Sequence, residues 1–188
     1  MPSYSILSNE TAPEASRPTL MAVEKAWGFA PNLIRTFAHS PAVLEGAWGL
    51  LTAFGKTRFT PAEQQLISLA ISVENECGYC SAAHSLMGKG AGIPDAELAA
   101  TRSAQPLGNP RHEALRRFAT VVTATRGKPS AHEVEQFLAA GYDQIAILEV
   151  ILGIATKTLM NYTDHLAKVP LDDAFKPTAW QPGLKQAA

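Results

Sequence analysis

Glu74-Asn75-Glu76-Cys77-Gly78-Tyr79-Cys80-Ser81-Ala82-Ala83-His84 holds both cysteines of the chain and sets a histidine one helical turn beyond the second. Positions i and i+3 of a helix share a face, so Cys77 and Cys80 can meet wherever the backbone lets them. His84 follows Cys80 by four residues. In a helix running on from Cys80, that spacing stacks the imidazole beside the thiol, within reach of its proton. Asn75 and Gly78 weaken helix continuity, which predicts a break at the motif and a new helix from near Cys77 to Gly88 or Gly90. A cysteine at such a helix start sits by unpaired backbone N–H groups and the positive end of the dipole, both of which favour thiolate.

Upstream, Thr60-Pro61-Ala62-Glu63 is a helix start, with Thr60 as N-cap, Pro61 at the first position and Glu63 completing a capping box. Leu66, Ile67, Leu69, Ala70, Ile71 and Val73 make this helix apolar on most of its circumference, so it is expected to be central. Before it, Ser40-Pro41 opens a helix through Leu44, Ala47, Leu51 and Phe54, ended by Gly55, with Ser40 as the expected cap. Shorter helical patterns occupy Met21 to Trp27 and Asn32 to Ala38. Residues 1–20, with Pro2, Pro13 and Pro18, are expected to form an extended or partly ordered arm.

Downstream, Pro94 to Leu98 starts a short helix, Arg111 to Thr125 carries a longer one, and Ser130-Ala131-His132-Glu133 repeats the capping-box pattern. Asp143 caps an apolar helix that runs through Met160 towards His165. The domain is expected to span residues 21–175, followed by a C-terminal tail over 176–188, and the irregular stretch from Pro170 is expected to pack on the body or on a partner. Strand signals are scarce, since the apolar stretches run long and alternate little. The expected class is all-α, with two loosely related helical halves.

At 188 residues the chain suits one core. A net charge of −1 with mixed signs provides no basic stripe for nucleic acid and no polybasic patch for a membrane. The N-terminus lacks the pattern of a secretory signal, and the apolar run Ile145 to Met160 is interrupted by Glu149 and Lys157, so a buried helix is expected. A cytoplasmic location follows as the expectation. In a reducing compartment a Cys-x-x-Cys pair points to metal binding or redox chemistry. Cys77, Cys80 and His84 supply three zinc ligands, but no second Cys-x-x-Cys or close histidine pair completes a set, so no metal and no bound cofactor are expected. A buried, inert cysteine pair is the plain structural alternative. The dithiol–disulfide reading is the one adopted. His84 is the candidate acceptor for the thiol proton, Glu74 a candidate for a proton relay, and Tyr79 a candidate hydrogen-bond donor. His165, near Asn161 and Asp164, is a weaker candidate from the second half.

These residues resemble the AhpD-like alkylhydroperoxidases of the carboxymuconolactone decarboxylase family, in their peroxidase-related branch. The resemblance runs from about Trp27 to Phe175 and is most specific at Glu74 to His84. Phe29-Ala30-Pro31-Asn32-Leu33, Ala38-His39-Ser40-Pro41, Asn161-Tyr162 and Pro170-Leu171-Asp172 give looser support. It implies an all-helical AhpD-like fold and a homo-oligomer, whether dimer, trimer or hexamer. It also implies a thiol peroxidase acting on organic hydroperoxides or hydrogen peroxide, recycled by an external dithiol or protein reductant. By position Cys80 would attack the peroxide, Cys77 would resolve, and His84 would act as base. Many members carry a glutamate twelve residues before the first cysteine, where this chain has Gln65, and Glu74 is the acidic residue nominated in its place. A protein disulfide oxidoreductase and a non-catalytic oligomeric redox sensor are the alternatives. A lactone decarboxylase is a further one, with no evident use for two thiols.

Overall fold

The computed structural model describes residues 4–183, all helix, turn and loop, with no strand among them. The nine α-helices among the described residues are α1 (Arg17–Trp27), α2 (Asn32–Phe37), α3 (Pro41–Phe54), α4 (Pro61–Glu74), α5 (Gly78–Gly90), α6 (Asp95–Arg102), α7 (Pro110–Ala124), α8 (Ala131–Ala139) and α9 (Gln144–Ala167). Short 3₁₀ helices cover Glu14–Ser16 and Asp173–Thr178.

α4 occupies the middle because its run from Leu66 to Ser72 is buried on every face. Leu66, Ile67, Leu69 and Ile71 are completely buried, and the helix packs against α5, α6, α7 and α9. Its start is the capping box read from the sequence: Thr60 Oγ1 accepts from the Glu63 N–H, and the Glu63 carboxylate accepts from the Thr60 N–H. Glu63 does more than cap. It is buried, and it also accepts from the Tyr142 hydroxyl at 2.9 Å and pairs with Arg111 at 3.3 Å. Those contacts tie the first half of the chain to the second.

Two apolar clusters flank α4. One gathers α1, α2, α3, both cysteines and the C-terminal segment around Val169 and Phe175, and the other joins α4, α6, α7, α8 and the first half of α9. α9 touches both. Its Gly153 lies where a Cβ would come within 2.9 Å of the Phe54 ring and 3.1 Å of Ile67, so only glycine lets the helix approach this closely. Its outer face leaves Ile145, Leu148, Ile151, Tyr162 and Leu166 exposed.

The structure differs from expectation at the N-terminal end. α1 begins at Arg17, with Pro18 in its first turn, and Leu7, Ala12 and Ser16 ahead of it are buried. Proline is accommodated there because the first helical N–H groups have no intrahelical acceptor. At the other end Phe175 packs into the core and Thr178 Oγ1 donates to the Ala82 carbonyl at 2.8 Å, so the segment after Pro170 is anchored on α5. The rest of the expected tail, from residue 184, lies outside the described residues. Ser40 precedes α3 without making the side-chain cap expected of it.

Candidate active site

α4 ends at Glu74, Glu76 takes a left-handed φ of 55°, and Cys77 becomes the N-cap of α5. The turn reverses the chain at once. Cys77 Sγ accepts from the Cys80 backbone N–H at 3.3 Å, which holds the two thiols together across the first turn. Cys77 is fully buried. Cys80 is 2 % exposed and lines a cavity of about 480 Å³ that Cys77 does not reach. The cavity wall is apolar, with Phe29, Leu33, Phe54, Met87, Met160 and Phe175 prominent, and its polar end carries Cys80, His84, Lys157 and Gln65.

The two thiols are unequal. A hydrogen bond from Cys77, the charge of Lys157 and a hydrogen bond from Asn161 together outweigh burial and the Asp164 charge, bringing Cys80 down to about 7. Cys77 is pushed far above the ordinary thiol range by that same hydrogen bond to Cys80, by burial, and by the charges of Cys80 and Asp164. Its sulfur also lies 3.4 Å from Asp164 Oδ2, a second acceptor for its one proton. Burial holds the Asp164 carboxyl above the usual range, although that hydrogen bond opposes it. Cys80 is therefore the more readily ionised of the pair, and Cys77 the proton-bearing partner.

His84 is buried next to this pair. Lys157 Nζ sits 2.6 Å from its Nε2, and Gln65 Oε1 sits 2.8 Å from its Nδ1. An ammonium only donates, so Nε2 carries the lone pair, and the proton is on Nδ1, donated to Gln65. Burial first and the Lys157 charge second hold the imidazole well below its ordinary pKa. It is a neutral ring with both nitrogens engaged.

Gln65, Ser68 and Ser72 share the face of α4 that meets α5 and α9, at spacings of three and four. Glu74 does not share it. Two residues beyond Ser72 the helix has turned by about 200°, and Glu74 is exposed, off the cavity wall and without a hydrogen bond to Cys77, Cys80 or His84. Its carboxyl is raised by partial burial and by the neighbouring Glu76. Tyr79 lines the cavity, and its hydroxyl donates to Asp172, which also accepts from the Asn32 N–H at the start of α2. His165 stacks on Tyr162 and is not among the lining residues.

Three site residues come from α9. Lys157, Asn161 and Asp164, at spacings of four and three, project from one face of that helix. Lys157 is 2 % exposed and forms no ion pair among the described residues; besides His84 it reaches only Met160 Sδ, at 3.7 Å. From the sequence it reads merely as an interruption of an apolar run. The usable signal was its phase, four residues after Gly153 and four before Asn161 on the inward face of α9.

The site thus defines a dithiol protein in which one thiol is activated at a helix start above an apolar cavity. Residues 41–121 match the carboxymuconolactone decarboxylase family. The structure superposes on an uncharacterized peroxidase-related protein from Ralstonia eutropha JMP134 described as an alkylhydroperoxidase AhpD core, with a TM-score of 0.81 and 21% identity, covering 92% of this chain and 93% of that one. A peroxidase-related protein from Silicibacter sp. TM1040 gives 0.77 at 16% identity, covering 93% and 94%. The debrominase Bmp8, in a cysteine-to-alanine variant complexed with 2,3,4-tribromopyrrole, gives 0.79 at 18% identity, covering 95% and 96%. No curated protein matches. Residues 41–121 are thus similar to the carboxymuconolactone decarboxylase family, and the described residues have the all-helical AhpD-like fold.

Proposed function

We propose that this chain is a thiol peroxidase for organic hydroperoxides. The Cys80 thiolate attacks the outer peroxide oxygen, the O–O bond breaks, and Cys80 becomes a sulfenic acid; Cys77 then displaces water from it to form the disulfide. The observation that carries this reading is the asymmetry of the two thiols, with the ionisable one alone facing the cavity. The size and apolar wall of that cavity favour an organic substrate, since hydrogen peroxide would occupy a small fraction of about 480 Å³ and gain nothing from the wall. The burial of both sulfurs favours a slender external dithiol as reductant over a protein disulfide partner, which would need the fold to open. A homo-oligomer in the cytoplasm belongs to the same proposal.

The test is to expose the reduced protein to cumene hydroperoxide, then denature it in a thiol-alkylating reagent and count blocked cysteines. The wild type is expected to lose both alkylatable thiols, Cys77→Ser to stop at a sulfenic acid, and Cys80→Ser to be inert. Two alkylatable thiols in the treated wild type would sink the proposal. A second reading is reductive dehalogenation of a halogenated aromatic. It is supported by the aromatic side chains on the cavity wall and by the likeness to a debrominase complexed with a bromopyrrole. Bromide release from 2,3,4-tribromopyrrole, without hydroperoxide consumption, would select it.

A further inference from the structure

Lys157 is the unexplained group of this site. It lies in the interior on α9, its ammonium faces the cavity that Cys80 lines, and its polar neighbour is an uncharged imidazole where a buried cation ordinarily has a carboxylate. An ammonium has three protons to donate. One goes to His84 Nε2 and a second points at Met160 sulfur, a weak acceptor, which leaves donor capacity directed at the cavity. The anion that would compensate it is on the same wall: the thiolate of Cys80.

His84 is arranged to serve that cation. With Nδ1–H held by Gln65, its Nε2 lone pair points at Lys157, so it is not open to a proton from Cys80. Glutamine at position 65 matters here. A carboxylate there would pull the imidazole towards its cationic form and close the Nε2 lone pair to the ammonium.

We propose that Lys157 is a catalytic residue, pairing with the Cys80 thiolate and then protonating the oxygen that leaves, while His84 is a positioning residue that aims Lys157. The second half of this role rests on the peroxidase reading; the first half does not. Cys80 sulfur attacks the terminal oxygen of ROOH, the O–O bond breaks, and the alkoxide takes a proton from the Lys157 ammonium to leave as ROH. Sulfur is oxidised by two electrons and the peroxide reduced by two. The proton released when the thiolate formed restores the ammonium, and Cys77 S–H with Cys80 S–OH yields the disulfide and water.

The groups facing Cys80 are Cys77 before α5, His84 and Tyr79 on α5, and Lys157 and Asp164 on α9; α4 presents only the neutral Gln65, Ser68 and Ser72. The pH dependence of Cys80 is read by iodoacetamide alkylation, which needs no peroxide. Lys157→Met, of similar shape, is expected to raise the midpoint by about one pH unit or more. At pH 9 it is expected to slow single-turnover oxidation by cumene hydroperoxide by about 10² or more, since the proton donor is gone even where the thiolate has formed. Lys157→Gln keeps the hydrogen bond to His84 without the charge and carries the same test if the methionine variant does not fold. His84→Ala, which removes the acceptor that aims Lys157, is expected to slow the oxidation with a smaller change in midpoint, and His84→Gln, which offers an acceptor but cannot act as a base, to restore most of that rate. An unmoved midpoint and rate in the uncharged Lys157 variants overturns the proposal, as does a loss in His84→Gln as large as theirs. A raised alkylation midpoint in a protein that consumes no hydroperoxide would retain the thiolate–ammonium pair and remove only the peroxidase reading.

Discussion

The chain makes the same local device twice and gives it different chemistry. In each half a helix begins with a capping box, at Thr60–Glu63 and Ser130–Glu133, and ends in a short break containing a left-handed residue, Glu76 or Gly141. Each break closes on an N-cap whose side chain accepts the backbone N–H three residues on. Asp143 accepts from Ala146 at 2.9 Å, and Cys77 accepts from Cys80 at 3.3 Å. An oxygen cap in the second half is an ordinary way to start a helix, and Asp143 also pairs with the Arg58 guanidinium at the surface. A sulfur is a poorer acceptor for that duty. The first half accepts the weaker cap and so places two thiols a turn apart, where the hydrogen bond between them first, and then the Lys157 charge on Cys80, sets their protonation apart.

The comparison can be broken most sharply at Cys77. Serine is a better N-cap than cysteine, so Cys77→Ser is expected to leave stability unchanged or raise it by up to about 1 kcal/mol, while ending disulfide formation altogether. Thermal unfolding and mass spectrometry of the oxidised protein read the two effects separately. A variant that loses its fold would show that the sulfur serves structure first.

The titration of the reduced pair sharpens the same contrast. Because Cys80 is lowered to about 7, its alkylation rate should rise with pH through that value, with the thiolate about a tenth formed at pH 6 and about nine-tenths at pH 8. Cys77, raised instead, should stay unmodified across that range. Equal labelling of both would contradict the assignment of nucleophile and resolving thiol.

Gly153→Ala tests the packing that brings α9 to the site. Its Cβ would meet the Phe54 ring at 2.9 Å, and Phe54 is part of the cavity wall, so a loss of about 1–3 kcal/mol is expected together with slower turnover. The smallest expected effect is at the other break. Asp143→Ala should lower the thermal midpoint while leaving the Cys80 alkylation profile where it was, because the cap it removes has no thiol above it. A shift of that profile would mean that the start of α9 is coupled to the position of Lys157.

Much of this was legible in local residues, since caps and breaks are set by interactions within four or five positions. The helix starts at Thr60, Ser130 and Asp143, the break before Cys80, and the pairing of Cys77 with Cys80 all follow from spacing and side-chain chemistry of that kind. Glu74 was nominated from its nearness in sequence, and the helix turn takes it to solvent. Gln65, passed over because it is not an acid, holds His84. Lys157 and Asp164 stand 77 and 84 residues beyond Cys80 in the numbering, and nothing local marks them as part of its surroundings.

The sequence by itself determined an all-helical chain with a dithiol at a helix start and an imidazole one turn away, because helix periodicity and capping are short-range. Only the tertiary structure decided which thiol ionises and what the imidazole does. Both depend on burial in the folded chain and on the approach of α9, whose buried Lys157 lowers Cys80 and helps keep His84 neutral over distances in space unrelated to distances along the chain.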